Sequence, residues 1–130
     1  MEYTNAVSAV VAWQEAANEK DFERLAGLSD PEIELAGPRG SGYGHELLRD
    51  WLARAGLTLE TRRVFASGDS VVAEQRGVWR SVETGEIVGE ADVASCFRVE
   101  NGRIAYLSRH DELDDALEKA GLEYADEVSL

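Results

Sequence analysis

Two residues near the end of the chain carry the side chains best suited to chemistry, Arg109 and Asp111. They lie two positions apart in a segment that alternates like a β-strand, so both are expected to face inward together with Leu107. A guanidinium binds a carboxylate through two parallel hydrogen bonds and is costly to bury alone. Arg109 is therefore predicted either to pair with Asp111 or another carboxylate, or to stay unpaired and bind the anionic group of a ligand.

Acid–base chemistry has two candidates, Asp111 and His45. Asp111 is the best carboxylate for proton transfer, with a salt bridge or a helix cap as its structural alternative. His45 begins a helix after a glycine-rich loop, and histidine is a common proton-transfer residue, so it is expected to lie at the mouth of a pocket. The alternative for His45 is an exposed histidine in the first turn of that helix.

The aromatic residues suggest a pocket wall. Trp13, Trp51 and Trp79 belong to separate segments, and we expect them either to converge on a flat apolar ligand or to pack as core without one. Tyr43 lies in the segment 37–44, which contains four glycines and is expected to act as a mobile lid. No Gly-Lys-Ser/Thr follows this segment, so a phosphate cradle is disfavoured. Two separated histidines and one cysteine predict no metal site, and no cofactor is expected.

Composition excludes several classes of partner. The 26 acidic and 13 basic residues give a formal net charge of −13, which repels nucleic acid. The single cysteine, Cys96, forms no disulfide within the chain, and no apolar run reaches the length of a membrane span. The segment 6–12 lacks the basic flank of a signal peptide. We therefore expect a cytoplasmic protein without a nucleic-acid or membrane partner.

The hydrophobic period changes along the chain from helical to strand-like, which predicts an α+β fold. Gly68-Asp69, Thr84-Gly85 and Asn101-Gly102 are short turn signals, so the last four strands are expected to form an antiparallel meander. One domain is predicted over residues 1–122, followed by an acidic tail over 123–130. The predicted helices are 5–19, 22–28, 45–55 and 114–120, and the predicted strands are 32–36, 57–67, 70–82, 87–99 and 103–110.

Alternation also predicts which side chains of the middle strands face the interior, because the more apolar set should point inward. Glu74, Arg76 and Arg80 then point outward. If the register differs by one residue, Glu74 and Arg76 instead line a polar cavity. The predicted ligand contacts on these strands are Gln75, Trp79, Ser95 and Phe97, and the full inward set is Ala73, Gln75, Gly77, Trp79, Ala91, Val93, Ser95 and Phe97.

Three segments resemble those of the nuclear-transport-factor-two-like, or SnoaL-like, superfamily: 18–22, which links the first two helices, the hairpin 97–104, and the segment 115–122, common in bacterial members. The resemblance covers nearly the whole chain. It implies a cone-shaped, curved antiparallel sheet around a pocket, with three N-terminal helices and a short C-terminal helix. It also implies a homodimer through the outer face of the sheet.

The catalytic residues of ketosteroid isomerase, one member of this superfamily, are missing. Gly37 stands where the resemblance places the catalytic base, and glycine cannot abstract a proton. Trp13 and Ser95 stand at the positions of the oxyanion donors and do not reproduce them. Isomerisation of that kind is not expected.

The catalytic residues of limonene epoxide hydrolase, another member, are also changed. The positions of its arginine and two aspartates correspond to Gln75, Gly77 and Arg109. Without these three catalytic residues, the chain lacks the acid–base relay that activates a water molecule while it protonates the epoxide oxygen. The first hypothesis is therefore a domain that binds a small aromatic or carboxylate-bearing molecule. The alternatives are an enzyme that transfers protons through Asp111, of the isomerase, dehydratase or cyclase type, and an association domain with a filled cavity.

Overall fold

The structure of the protein is a computed structural model that describes residues 2–37, 40–54 and 56–129. Two helices come first, and a short hairpin separates them from the third. The expectation of three N-terminal helices is corrected in this respect: two are N-terminal, and the third follows the hairpin. The elements of this half are α1 (Glu2–Asn18), α2 (Phe22–Gly27), β1 (Ser29–Gly37), β2 (Gly40–Tyr43) and α3 (His45–Arg54).

The second half of the chain is the predicted meander, followed by the predicted short helix. One open seven-stranded sheet runs in the order β2-β1-β6-β5-β4-β3-β7, and β1 and β6 form its parallel pair. The α+β fold with a curved, unclosed sheet is thereby confirmed. The elements are β3 (Leu57–Ser67), β4 (Ser70–Arg80), β5 (Ile87–Glu100), β6 (Arg103–His110), α4 (Leu113–Ala120), a 3₁₀ turn (Tyr124–Asp126) and β7 (Glu127–Val128).

The hairpin between β5 and β6 shows how local sequence sets the register. Asn101 and Gly102 have φ angles of 54° and 78°, the left-handed conformation that a tight two-residue hairpin requires. Glycine adopts it freely and asparagine at small cost. The turn pairs Glu100 with Arg103 and Val99 with Ile104. A β-bulge between Val99 and Arg98 then shifts the register by one residue, and beyond it Ser95 lies opposite Arg109.

The sheet buries apolar side chains on both faces. Its inner face packs against α1, α2 and α3 around the fully buried Trp13, Leu25 and Leu48. On part of the outer face, α4 packs Ala116 and Leu117 over buried side chains of β3 to β6. The outer cluster also contains Phe65, Val72, Ala94, Cys96, Tyr106 and Leu122. The C-terminal helix thus covers part of the face that the resemblance assigns to a dimer.

The acidic C-terminal segment is mostly exposed, but it pairs with the sheet. Val128 lies opposite Val64 in the ladder between β7 and β3. The guanidinium of Arg63 donates to both carboxylate oxygens of Glu127, at 2.9 and 3.2 Å. This bond is the first cause of the lowered pKa of the Glu127 carboxyl. Within the described part of the chain, no helix has the length and apolar character to cross a membrane.

Candidate functional site

The guanidinium of Arg109 is buried and unpartnered. Its Nε and Nη2 atoms are inaccessible to solvent and have no hydrogen-bond partner. Its Cζ lies 5.8 Å from the centroid of the Trp51 ring, which places the cation over the aromatic face. Burial lowers the pKa of Arg109 to about 10, so the group is still charged at neutral pH. The residue as a whole keeps partial exposure.

Three elements bring this group to its position. Arg109 is the penultimate residue of β6 and lies opposite the buried Ser95 of β5. On its other side β6 runs parallel to β1, where Ala36 pairs with Ser108, so Arg109 lies level with the end of β1. Trp51 of helix α3 packs against the guanidinium. The site therefore sits where β6, the β1–β2 hairpin and α3 meet.

Asp111 does not accompany Arg109. Strand β6 ends at His110, and the chain bends before α4, so the alternation that predicted an inward Asp111 no longer applies. Asp111 is exposed, which corrects its predicted inward position. Across residues 2–37, 40–54 and 56–129, no carboxylate forms an ion pair with Arg109. The predicted bridge between the two residues is thus absent.

The predicted aromatic wall is partly core. The fully buried Trp13 donates its indole N–H to Ser29 Oγ at 2.8 Å. Its ring stacks on Trp51, with centroids 6.1 Å apart, and meets Phe97 edge-on at 5.8 Å. Because Trp13 and Phe97 are enclosed, Trp51 is the member of this group that keeps an accessible surface. Trp51 therefore links the packed interior to Arg109.

The other predicted ligand contacts are dispersed. Leu107 is buried in the inner core, as its inward prediction requires. Trp79 is half-buried near the C-terminal end of β4. Its ring packs against Gly77, where an added Cβ would lie 3.2 Å from the ring. Tyr43 is 63% exposed on β2. The structure brings Leu107 and Arg109 onto one strand but does not gather Trp79 and Tyr43 around them.

Gln75 and Ser95 belong to a polar network that is satisfied internally. The Gln75 amide donates to Gln14 Oε1 at 3.0 Å and to Thr61 Oγ1 at 3.1 Å. Its Oε1 accepts from Ser95 Oγ at 2.7 Å. Gln14 in turn donates to Asn18 Oδ1. These hydrogen bonds connect α1 to the sheet, and they give both the nitrogen and the oxygen of the Gln75 amide a partner.

His45 is held by backbone oxygens. Its Nε2 lies 3.2 Å from the Ser29 carbonyl oxygen and 3.1 Å from that of Asp30. Since both partners are acceptors, Nε2 carries the proton. The ring thereby fastens the start of α3 to β1. No hydrogen bond joins His45 to Asp111 in the described residues, so the two catalytic candidates are not brought together.

Sequence reasoning missed Gln14 and Thr61 of this network, and also Ser29, which accepts the hydrogen bond from Trp13. A signal was available for Gln14, because it occupies an apolar position in the helical repeat of α1. A polar side chain at such a position needs a buried partner, and Gln75 supplies it. Ser29 and Thr61 gave no comparable signal.

Among the surface grooves of the described residues that lie away from Arg109, two have apolar side chains along their length. One, of about 970 Å³, runs between α1 and β3 and is bordered by Val7, Val11, Leu59 and Val128. The other, of about 480 Å³, lies between α2, α3 and the ends of β3 and β4. In the described part of the chain, no three His, Cys, Asp or Glu side chains form a group that could hold a metal ion.

The fold matches solved structures over most of its length. A candidate polyketide cyclase from Xanthomonas campestris pv. campestris is 19% identical, with a TM-score of 0.73 over 92% of this chain and 99% of that chain. An LEH-like epoxide hydrolase from M. tuberculosis is 22% identical, with a TM-score of 0.71 over 92% of both chains. TerC, co-crystallised with polyporic acid, is 19% identical, with a TM-score of 0.72 over 89% of this chain and 97% of that chain.

No curated protein sequence matches the chain. The sequence profile of the SnoaL-like domain matches residues 10–107, which include α2, β1 to β5, α3 and most of α1 and β6. With three quarters of the chain matched, the protein belongs to the family of the SnoaL-like domain.

Proposed function

We propose that the domain binds a small organic anion at Arg109, with the Trp51 ring as the adjacent apolar wall. The observation that carries this proposal is the buried guanidinium whose Nε and Nη2 have no partner. Buried polar groups in folded proteins almost always have partners, and a charged group left alone costs several kcal/mol. A carboxylate would offer these nitrogens two acceptors at once.

The surroundings of Arg109 favour an anion that also has an aromatic part. The indole of Trp51 stacks on Trp13 and so presents a fixed aromatic surface beside the cation. A flat apolar ligand gains contact area on such a surface without ordering further side chains. An aromatic carboxylate therefore fits both the charge and the wall.

One structural neighbour, TerC, supports an organic acid as the class of ligand. TerC was crystallised with polyporic acid, an organic acid by name. The fold also occurs in an epoxide hydrolase and in a candidate polyketide cyclase, so shared fold alone leaves the chemistry open. Catalysis by Asp111 has less support than binding, because Asp111 is exposed and His45 is held by backbone oxygens.

The test is a thermal-shift screen of aromatic and polycyclic carboxylates, each paired with its neutral amide. Wild type is compared with Arg109→Met and with a control, Arg103→Met, which changes an exposed arginine on the same strand. A ligand that binds the folded state alone raises the melting temperature. We expect carboxylates, and not amides, to raise it in wild type and in the control, but not in Arg109→Met.

Two outcomes contradict the proposal. Equal shifts in all three proteins place the binding site away from Arg109. If no carboxylate shifts wild type and Arg109→Met is itself strongly destabilised, the guanidinium is structural. The association domain with a filled interior then becomes the better interpretation. A homodimer through the sheet and a cytoplasmic location stay predictions, and the same holds for ligand contacts by Gln75, Trp79, Ser95 and Tyr43.

A further inference from the structure

The smaller surface groove has an apolar floor. It lies between α2, α3, the start of β3 and the end of β4, and its volume is about 480 Å³. Phe22, Leu52 and Leu57 contribute to its floor, and Val82, which is 73% exposed, stands at its rim. It contains neither Arg109 nor Trp51.

The charges along this groove are all positive. Lys20, Arg49 and Arg80 border it, and none of the described residues that line it is acidic. The chain as a whole has twice as many acidic as basic residues, so a lining with three cations and no carboxylate runs against the composition. An apolar surface rimmed by one sign of charge concentrates ligands of the opposite sign.

Two of these cations are positioned without a carboxylate. The Arg49 guanidinium lies over the Phe22 ring, with Cζ 4.2 Å from the centroid. Arg80 donates from Nη1 to the Gly85 carbonyl oxygen at 3.2 Å. Within residues 2–37, 40–54 and 56–129, neither arginine forms an ion pair. Both therefore keep donors for a ligand.

The backbone at the edge of the groove is closely fitted. Arg80 donates its backbone N–H to the Gly56 carbonyl oxygen at 2.6 Å. A Cβ added at Gly56 would lie 2.0 Å from the Arg80 carbonyl oxygen, so this approach of β4 to the loop after α3 requires glycine. On the opposite side, the Lys20 ammonium contacts the Leu52 carbonyl oxygen at 3.4 Å. Direct contacts therefore set the distances between the elements that carry the three cations.

We propose that this groove is a second ligand site, for a small amphipathic monoanion such as a medium-chain carboxylate. The alkyl chain lies along Phe22, Leu52 and Leu57, and the carboxylate meets Arg49 and Arg80 at the rim. The site is independent of Arg109, because the two share no lining residue.

The test is a two-dimensional amide NMR titration with three probes: octanoate, octanol and inorganic sulfate. Octanoate carries both parts of the proposed ligand, whereas octanol lacks the charge and sulfate lacks the chain. We expect octanoate to shift the amide signals of Gly56, Thr58 and Gly85 to saturation. Octanol and sulfate should bind at least several-fold more weakly at those amides.

Variants that remove arginine charges test which side chains bind the carboxylate. An exposed ion contact contributes up to about 1 kcal/mol, so Arg49→Gln/Arg80→Gln should weaken octanoate binding about three- to tenfold. Arg49→Gln alone gives a smaller loss and preserves the Arg80 contact with the hairpin. The matched control Arg98→Gln/Arg103→Gln, which removes two exposed arginines elsewhere, should bind as wild type does. Arg109→Met should also leave this affinity unchanged, even if binding at Arg109 fails.

Three results overturn the proposal. The first is an absence of amide shifts at the groove up to the solubility limit of octanoate. The second is equal affinity in the double variant and its matched control. The third is a shift of the same amides with protein concentration alone, which assigns the groove to a second copy of the chain.

Discussion

The Arg109 guanidinium lies over the Trp51 indole, with Cζ 5.8 Å from the ring centroid, and Nε and Nη2 have no hydrogen-bond partner. A cation–π contact contributes about 0.5–2 kcal/mol. Removing a guanidinium from water costs several kcal/mol, so the ring does not compensate for the burial. We therefore expect Arg109 to lower the stability of the folded protein when no anion is bound to it.

Replacing Arg109 by Met should stabilise the unliganded protein. Met keeps much of the apolar stem and removes the buried charge, so we expect the free energy of unfolding to rise by about 1–3 kcal/mol. Urea unfolding at pH 7 measures this change. The exposed control Arg103→Met should stay within about 0.5 kcal/mol of wild type. A loss of more than about 1 kcal/mol in Arg109→Met means that the guanidinium has a structural partner.

Anion binding at Arg109 should weaken at high pH. Burial lowers the pKa of Arg109 to about 10 in the folded protein. The unfolded chain then binds the proton more tightly than the folded one, so the burial penalty is complete below pH 10 and is relieved as pH rises above it. The anion requires the protonated form, so its affinity should be nearly constant from pH 7 to 9 and fall to about one tenth of that value by pH 11.

A fluorescence titration of Trp51 with an aromatic carboxylate measures this profile, with circular dichroism to verify folding at each pH. The neutral amide of the same compound provides the control, because its weaker binding should not follow the same curve. An affinity that is unchanged up to pH 11 contradicts a role for the Arg109 charge.

The network around Gln75 should be structural. Gln75→Leu leaves Gln14 and Ser95 without their partners in a buried environment, so we expect a loss of about 2–4 kcal/mol in unfolding free energy. Ser95→Ala removes one bond and should cost about 1–2 kcal/mol. The double variant should show a coupling energy of about 1 kcal/mol in a double-mutant cycle. If Gln75→Leu unfolds like wild type and instead abolishes carboxylate binding, Gln75 is a ligand contact.

Gly56 should tolerate no side chain. A Cβ there lies 2.0 Å from the Arg80 carbonyl oxygen, so Gly56→Ala must separate the loop from β4. We expect a loss of about 2 kcal/mol or more in unfolding free energy. Gly27→Ala provides the matched control, because a Cβ at Gly27 meets nothing within 4 Å and alanine favours the helix. Equal stability of the two variants contradicts the close fit at this edge.

Much of the fold could be predicted from the sequence, because the hydrophobic periodicity and the turn residues indicate the same elements that the tertiary structure contains. The four meander strands and the Asn101-Gly102 turn are present where the sequence places them. Strand β2 was not predicted, because Gly40 and Gly42 are typical of a loop and its pairing with β1 is a tertiary effect. Pro38 and Arg39 of the predicted lid lie outside the described residues.

The site could be predicted in part. Arg109 stood out because alternation placed a charge on the apolar face, and its guanidinium is buried. The position of Asp111 was wrong because alternation was extended past the end of β6. The close stacking of Trp13 on Trp51 joins α1 to α3, and a contact of that kind leaves no local signal in a single sequence.

Anion binding by Arg109 is measured by the NMR signal of its Nε–Hε group. This signal is assigned by its absence in Arg109→Met and is followed as 1-naphthoate is added. We predict that it moves to saturation together with the Trp51 indole N–H, both giving one dissociation constant. If 1-naphthoate raises the melting temperature while the Arg109 signal stays in place, the anion binds elsewhere and the account of this site is wrong.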